Sequence, residues 1–196
     1  MAMDTIEDPL PAGTPDPEPR RPRLERLEPE ERATPVMVYT ADSLSWGRII
    51  TKGALRANMV LHSGIVPDFL TLYEAKSMSL RNLATLQSEP YAELHIPTDQ
   101  VVGYHLVPPN SEPLDYDPEA PNRKMEPAAV IVGPFRFNGA FRMAELSNLD
   151  RFLEISQTPF LSMYQVEITL PANPRLKPMQ VNFAQIRRTA VRFSPS

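Results

Sequence analysis

The chain has no cysteine among its 196 residues, which excludes a disulfide framework and any thiolate metal site. Glycine is also scarce, at 7, and no G-x-S-x-G, P-loop or G-x-G-x-x-G pattern is present. The 3 histidines, His62, His95 and His105, fall in no H-E-x-x-H or comparable ligand spacing. No stretch approaches the roughly 20 apolar residues that span a bilayer. The opening segment Met1–Asp8 is acidic and no apolar run follows it, so no secretory signal is expected. These absences set the expectation of a cytoplasmic, non-enzymatic protein with no metal, no cofactor, no small-molecule substrate and no membrane.

Proline, at 23, is the abundant residue. Eight prolines lie in residues 1–35 and six between Pro108 and Pro127, marking two segments outside the core. Residues 1–35 read as a disordered acidic tail, with a short helix expected over 24–32. Two lobes are expected, over 36–107 and 128–196, joined by a Pro-rich acidic linker over 108–127. Charge divides along the same lines. Residues 128–196 hold four acidic and eight basic side chains, residues 36–108 six and five, and residues 109–127 five and two.

The chain also repeats itself. Phe69-Leu70-Thr71-Leu72-Tyr73-Glu74-Ala75 returns as Phe160-Leu161-Ser162-Met163-Tyr164-Gln165-Val166. Val36–Thr40 aligns with Ala128–Val132, and the same offset of 92 places Gly139 on Gly47. Leu94–Pro97 aligns with Val181–Ala184 at an offset of 87. Each lobe reads as a hairpin with a mid-strand glycine, then a short helix (55–62 in the first, with Ser147 as N-cap in the second), then a strand from Phe69 or Phe160. A final tight hairpin is expected, with Thr98-Asp99-Gln100 as its turn in the first lobe. A glycine inside a strand fits a bulge or bend. A tandem duplication with pseudo-twofold symmetry follows as the expectation.

Gly47, Phe69–Ala75 and Ile96-Pro97-Thr98-Asp99-Gln100-Val101-Val102 carry a resemblance to small, strongly bent β-barrels of the Sm-like kind. It covers most of residues 36–107 and, more loosely, 128–193. It implies a mainly β protein of two duplicated barrel lobes, and RNA as one ligand class. The lobes are also similar to a bacterial domain family with a short helix before an F-x-x-L-x-D-A strand, which implies no function.

Four residues stand out as interaction candidates. Trp46, the single tryptophan, adjoins Gly47. Arg187, Arg188 and Arg192 form the one basic cluster with an aromatic neighbour, Phe193, a mixture suited to phosphate contact and base stacking. The first reading is an interaction or assembly module of the bacterial cytoplasm, binding a protein partner or itself. The second is single-stranded RNA binding through the basic lobe.

Overall fold

The structure is a computed structural model and describes residues 23–62, 66–81, 87–174 and 176–195. The tail over 1–22 lies outside the described residues. The first half supplies β1 (Glu31–Tyr39), β2 (Ser43–Lys52), β3 (Phe69–Ser79), β4 (Ser88–Pro97) and β5 (Gly103–Leu106). The second supplies β6 (Arg123–Val132), β7 (Phe135–Ala144), α1 (Leu149–Ile155), β8 (Phe160–Thr169), β9 (Met179–Arg187) and β10 (Arg192–Pro195). The protein is mainly β. Its strands form one 10-stranded antiparallel sheet in the order β10-β6-β7-β8-β9-β5-β1-β2-β3-β4.

The order in the second half, β10-β6-β7-β8-β9, repeats that of the first, β5-β1-β2-β3-β4. The registers repeat with it. Phe69 faces Pro97 and Leu70 faces Ile96, as Phe160 faces Arg187 and Leu161 faces Ile186. Met37 faces His105 as Ala129 faces Ser194. Pro97 thus corresponds to Arg187, so the offset of β9 is 90, not the 87 expected from the sequence.

Two closed barrels do not form. Closure would pair each fifth strand with the fourth strand of its own half. Instead β5 pairs with β9 of the other half, Gly103 opposite Ile186 and Tyr104 opposite Gln185. The sheet stays open, with β4 and β10 at its edges. The expected hairpin over 92–107 is an arch: the 3-10 turn Thr98–Gln100 carries the chain from β4 to β5, which lies beside β1. His95 and His105 therefore sit on strands that are not neighbours. The joint between the halves unites unlike edges, so the halves follow one another head to tail rather than across a twofold.

The mid-strand glycines do mark irregularities. The β2–β3 register shifts between Trp46 and Arg48, and the β7–β8 register shifts between Asn138 and Ala140. The left-handed residue is on the opposing strand each time, Glu74 at φ 48 and Gln165 at φ 51. This flips the alternation in β3: Leu70 and Leu72 point inward, Glu74 is exposed, and Ala75 is buried.

Other boundaries differ from expectation. The helix over 24–32 reduces to a 3-10 turn, Arg23–Arg26, because β1 already begins at Glu31. The segment 55–62 holds only the 3-10 turn Ala57–Met59. The N-cap of α1 is Asn148, whose side chain accepts the Arg151 N–H, rather than Ser147. β6 starts at Arg123, five residues before the expected second lobe.

β1 is buried on both faces, which explains its run of apolar residues. Val36 and Val38 enter a core with Leu70, Leu72 and Tyr104. Met37 and Tyr39 enter the larger core of the second half, where Tyr39 meets Phe135 at 5.1 Å and Phe137 at 5.2 Å between ring centroids. The segment between β5 and β6 is a strap rather than a free linker. Glu112 accepts the backbone N–H groups of Ala57 (3.1 Å) and Asn58 (2.9 Å) in the first half. Asp115 accepts the hydroxyls of Ser162 (2.7 Å) and Tyr164 (2.6 Å) in the second. Two of its carboxylates, those of Glu112 and Asp115, are the groups that dock it.

Candidate functional site

The four candidate residues are not brought together. Trp46 lies in β2 opposite Met37 and Lys76, half-buried against the larger core. Arg187 closes the seam between the halves. Its Nε donates to the Val101 carbonyl at 2.6 Å, an Nη donates to the Thr98 carbonyl, and its guanidinium lies 4.5 Å from the centre of the Phe160 ring. Burial lowers its pKa from the ordinary arginine value. Arg188 donates to the Leu153 carbonyl of α1 at 3.2 Å, and its Nε is buried without a partner. Arg192, in β10, is exposed. Two of the three arginines are thus tied to backbone carbonyls, and Arg192 remains for an external anion.

The features that stand open lie at the other end of the sheet. β4 runs for 10 residues, and its first six are exposed on both faces. Its outer edge is covered by no described strand. An uncovered strand edge presents unpaired N–H and C=O groups to any extended chain. Pro90, Pro97, Glu89 and Glu93 lie along β4, and such residues limit indiscriminate pairing.

Phe69, the first residue of β3, sits beside the end of β4 and is 54% exposed. It lines two clefts. One, of about 520 Å³, lies at the seam with Pro97, Phe160 and Arg187, and is flanked by Asp68 and Asp99. The other, of about 430 Å³, includes Leu55, Val60 and Tyr73. Phe69 and Phe160 occupy the same place in the two halves, yet Phe160 is 1% exposed. The sequence alignment had paired them; only their opposite burial singles out Phe69.

Two polar groups of the interior, His105 and Tyr39, are committed to each other. His105 is fully buried, with Nδ1 2.8 Å from the Leu106 carbonyl oxygen and Nε2 3.0 Å from the Tyr39 hydroxyl. The carbonyl can only accept, so Nδ1 carries the proton and Nε2 accepts from Tyr39. Burial pushes the His105 pKa down to about 4 and that of Tyr39 well above its ordinary value. No group of three or more His, Asp or Glu suited to a metal ion occurs among the described residues, and no described helix is long and apolar enough to cross a membrane.

Comparison with protein-family models, with curated proteins and with solved structures finds no match to this chain.

Proposed function

We propose that the protein is a non-enzymatic interaction and assembly module that takes hold of other polypeptides along β4 and Phe69. One observation carries this reading: a 10-residue strand has an edge that no described strand covers, and a 54%-exposed phenylalanine stands beside its end. Backbone pairing along such an edge supplies affinity, and an adjacent apolar anchor supplies specificity. We read the two halves as duplicated copies of one small, bent Sm-like unit. The repeated strand order, the paired glycines and the paired left-handed residues support this origin. A cytoplasmic setting in a bacterium belongs to the same reading.

Single-stranded RNA binding through the basic second half has less support, because Arg187 and Arg188 are directed at backbone carbonyls. The test sets a photo-crosslinking residue at Phe69 against one at Leu146, which is 99% exposed on a loop of the second half. Polypeptide adducts are expected at Phe69 and not at Leu146. Equal labelling, or none at Phe69, would count against the proposal. A dissociation constant for single-stranded RNA below about 1 μM near physiological salt, tighter than ordinary non-specific binding, would promote the RNA reading.

A further inference from the structure

We infer that the polypeptide taken up along β4 is a basic, extended segment, with lysine or arginine at two positions four residues apart, one facing Glu93 and the other Glu89. The inference rests on the interaction reading above and names the chemistry of its partner. Its ground is the pleat of β4. Successive side chains of a strand alternate between faces, so Glu89, Tyr91, Glu93, His95 and Pro97 share one face. Contacts along the strand agree: the Tyr91 hydroxyl donates to Glu89 at 2.8 Å, and His95 Nε2 lies 3.5 Å from Glu93. Leu94 and Ile96, in the alternate phase, turn to the core of the first half. A strand added at the outer edge sets its own side chains opposite these positions, again on alternate residues.

Charge fixes the sign of the partner. Residues 88–99 contain Glu89, Glu93 and Asp99 and no lysine or arginine. Both glutamates are exposed. Cations around the strand are committed elsewhere: Arg23 pairs with Glu31 at 2.6 Å, Arg81 with Asp42 at 2.7 Å, and Arg48 with Glu74 at 3.7 Å. Lys76 stands opposite Pro90, out of phase with both glutamates. Such an acidic row attracts a cationic chain and repels a nucleic-acid backbone.

The row ends on an apolar surface. Four residues beyond Glu93, Pro97 lies beside Phe69, in a cleft of about 520 Å³ whose other wall is Pro159 and Phe160 of the second half. Arg187 lines the same cleft, so the partner's residue there is apolar rather than cationic. The nine strand pairings of the sheet are antiparallel, and an added strand extends the same ladder. From its N-terminus the partner then reads apolar, three residues, cation, three residues, cation. Pro90 and Pro97 offer no N–H, which shortens the backbone ladder and keeps association reversible, with a dissociation constant of about 10 μM.

The test uses the full chain and a fluorescent threonine-rich peptide with leucine, lysine and lysine at successive fourth positions. One control peptide moves a single lysine by one residue, which turns the two charges to opposite faces. Another replaces both lysines by glutamate. Fluorescence anisotropy near physiological salt should show the first peptide bound about fivefold or more tighter than the shifted one, and about tenfold or more tighter than the glutamate one. The exposed double substitution Glu89→Lys and Glu93→Lys should reverse the order and favour the glutamate peptide. Phe69→Ser should weaken the lysine peptide about threefold or more. Equal binding of the lysine peptide and either control, no binding of it up to about 1 mM, or no reversal by the double substitution would overturn the inference. If it fails while the Phe69 photo-crosslinker still labels a polypeptide, the interaction reading survives and only the chemistry of the partner changes. If both fail, the interaction reading falls with it.

Discussion

Gly139 lies so close to Tyr164 that a β-carbon added to the glycine would stand 2.7 Å from the Tyr164 carbonyl oxygen. The constraint is contact, not a positive backbone angle. β7 passes the irregular turn of β8 at Gln165, and there is no room for a methyl group. At Gly47 the equivalent distance to the Tyr73 carbonyl oxygen is 3.0 Å.

Gly139→Ala should therefore destabilise the protein by about 1–3 kcal/mol, since the obstructing atom is backbone and cannot rotate away. Gly47→Ala should cost less. Denaturant melts of both variants check the order, and a neutral Gly139→Ala would remove the argument from contact.

Gln165 offers the opposite test. It is exposed and left-handed, at φ 51, a conformation that costs a side-chain-bearing residue roughly 1–2 kcal/mol. Gln165→Gly should leave stability unchanged or raise it, although glycine in an ordinary strand lowers it. Gln165→Val should lower it. Thermal melts of the pair decide, and a lower melting temperature for the glycine variant would contradict the assigned backbone.

His105 predicts a pH dependence. Its pKa is about 4 in the fold against 6.5 for the free side chain. As pH falls through 6.5 the unfolded chain takes up the proton first, so stability is full above that value and declines towards the folded value. The total loss is about 3 kcal/mol. Urea melts across this interval should show the slope, and His105→Gln should flatten it. An unchanged slope in that variant would assign the effect to other groups.

Asp115 pins the strap to the second half. Asp115→Ala removes the acceptor of two hydroxyls, one of them on the largely buried Tyr164, and should cost about 1–3 kcal/mol. Tyr164→Phe in the same background should then add little, because the partner is already gone. A double-mutant cycle measures this coupling, and strict additivity would show that the contact is not energetically linked.

Much of the local pattern was legible in the chain. The strand from Phe69 and the irregularities at the mid-strand glycines Gly47 and Gly139 lie where the sequence places them. The misreadings have a common cause. Thr98–Gln100 reads as a hairpin turn, and only the destination of the following strand reveals an arch. Arg187 and Arg188 read as surface cations, and only the approach of residues 98–101 and of α1 shows them tied to carbonyls. The acidic segment over 108–127 reads as a linker outside the core, and only the placing of Ala57, Asn58, Ser162 and Tyr164 beneath Glu112 and Asp115 shows a strap.

The sequence by itself determined the mainly β character and the glycines within strands, because these depend on residue type and on periods of a few residues. Tertiary structure alone decided that β5 pairs with β9 rather than with β4. Both pairings offer the same backbone groups, and the choice depends on how far each half curls before its edge meets another. That choice leaves the outer edge of β4 without a described partner strand, and Phe160 is buried while Phe69 is exposed. Two identical letters thus received opposite roles, because solvent exposure belongs to the assembled sheet and not to the residue.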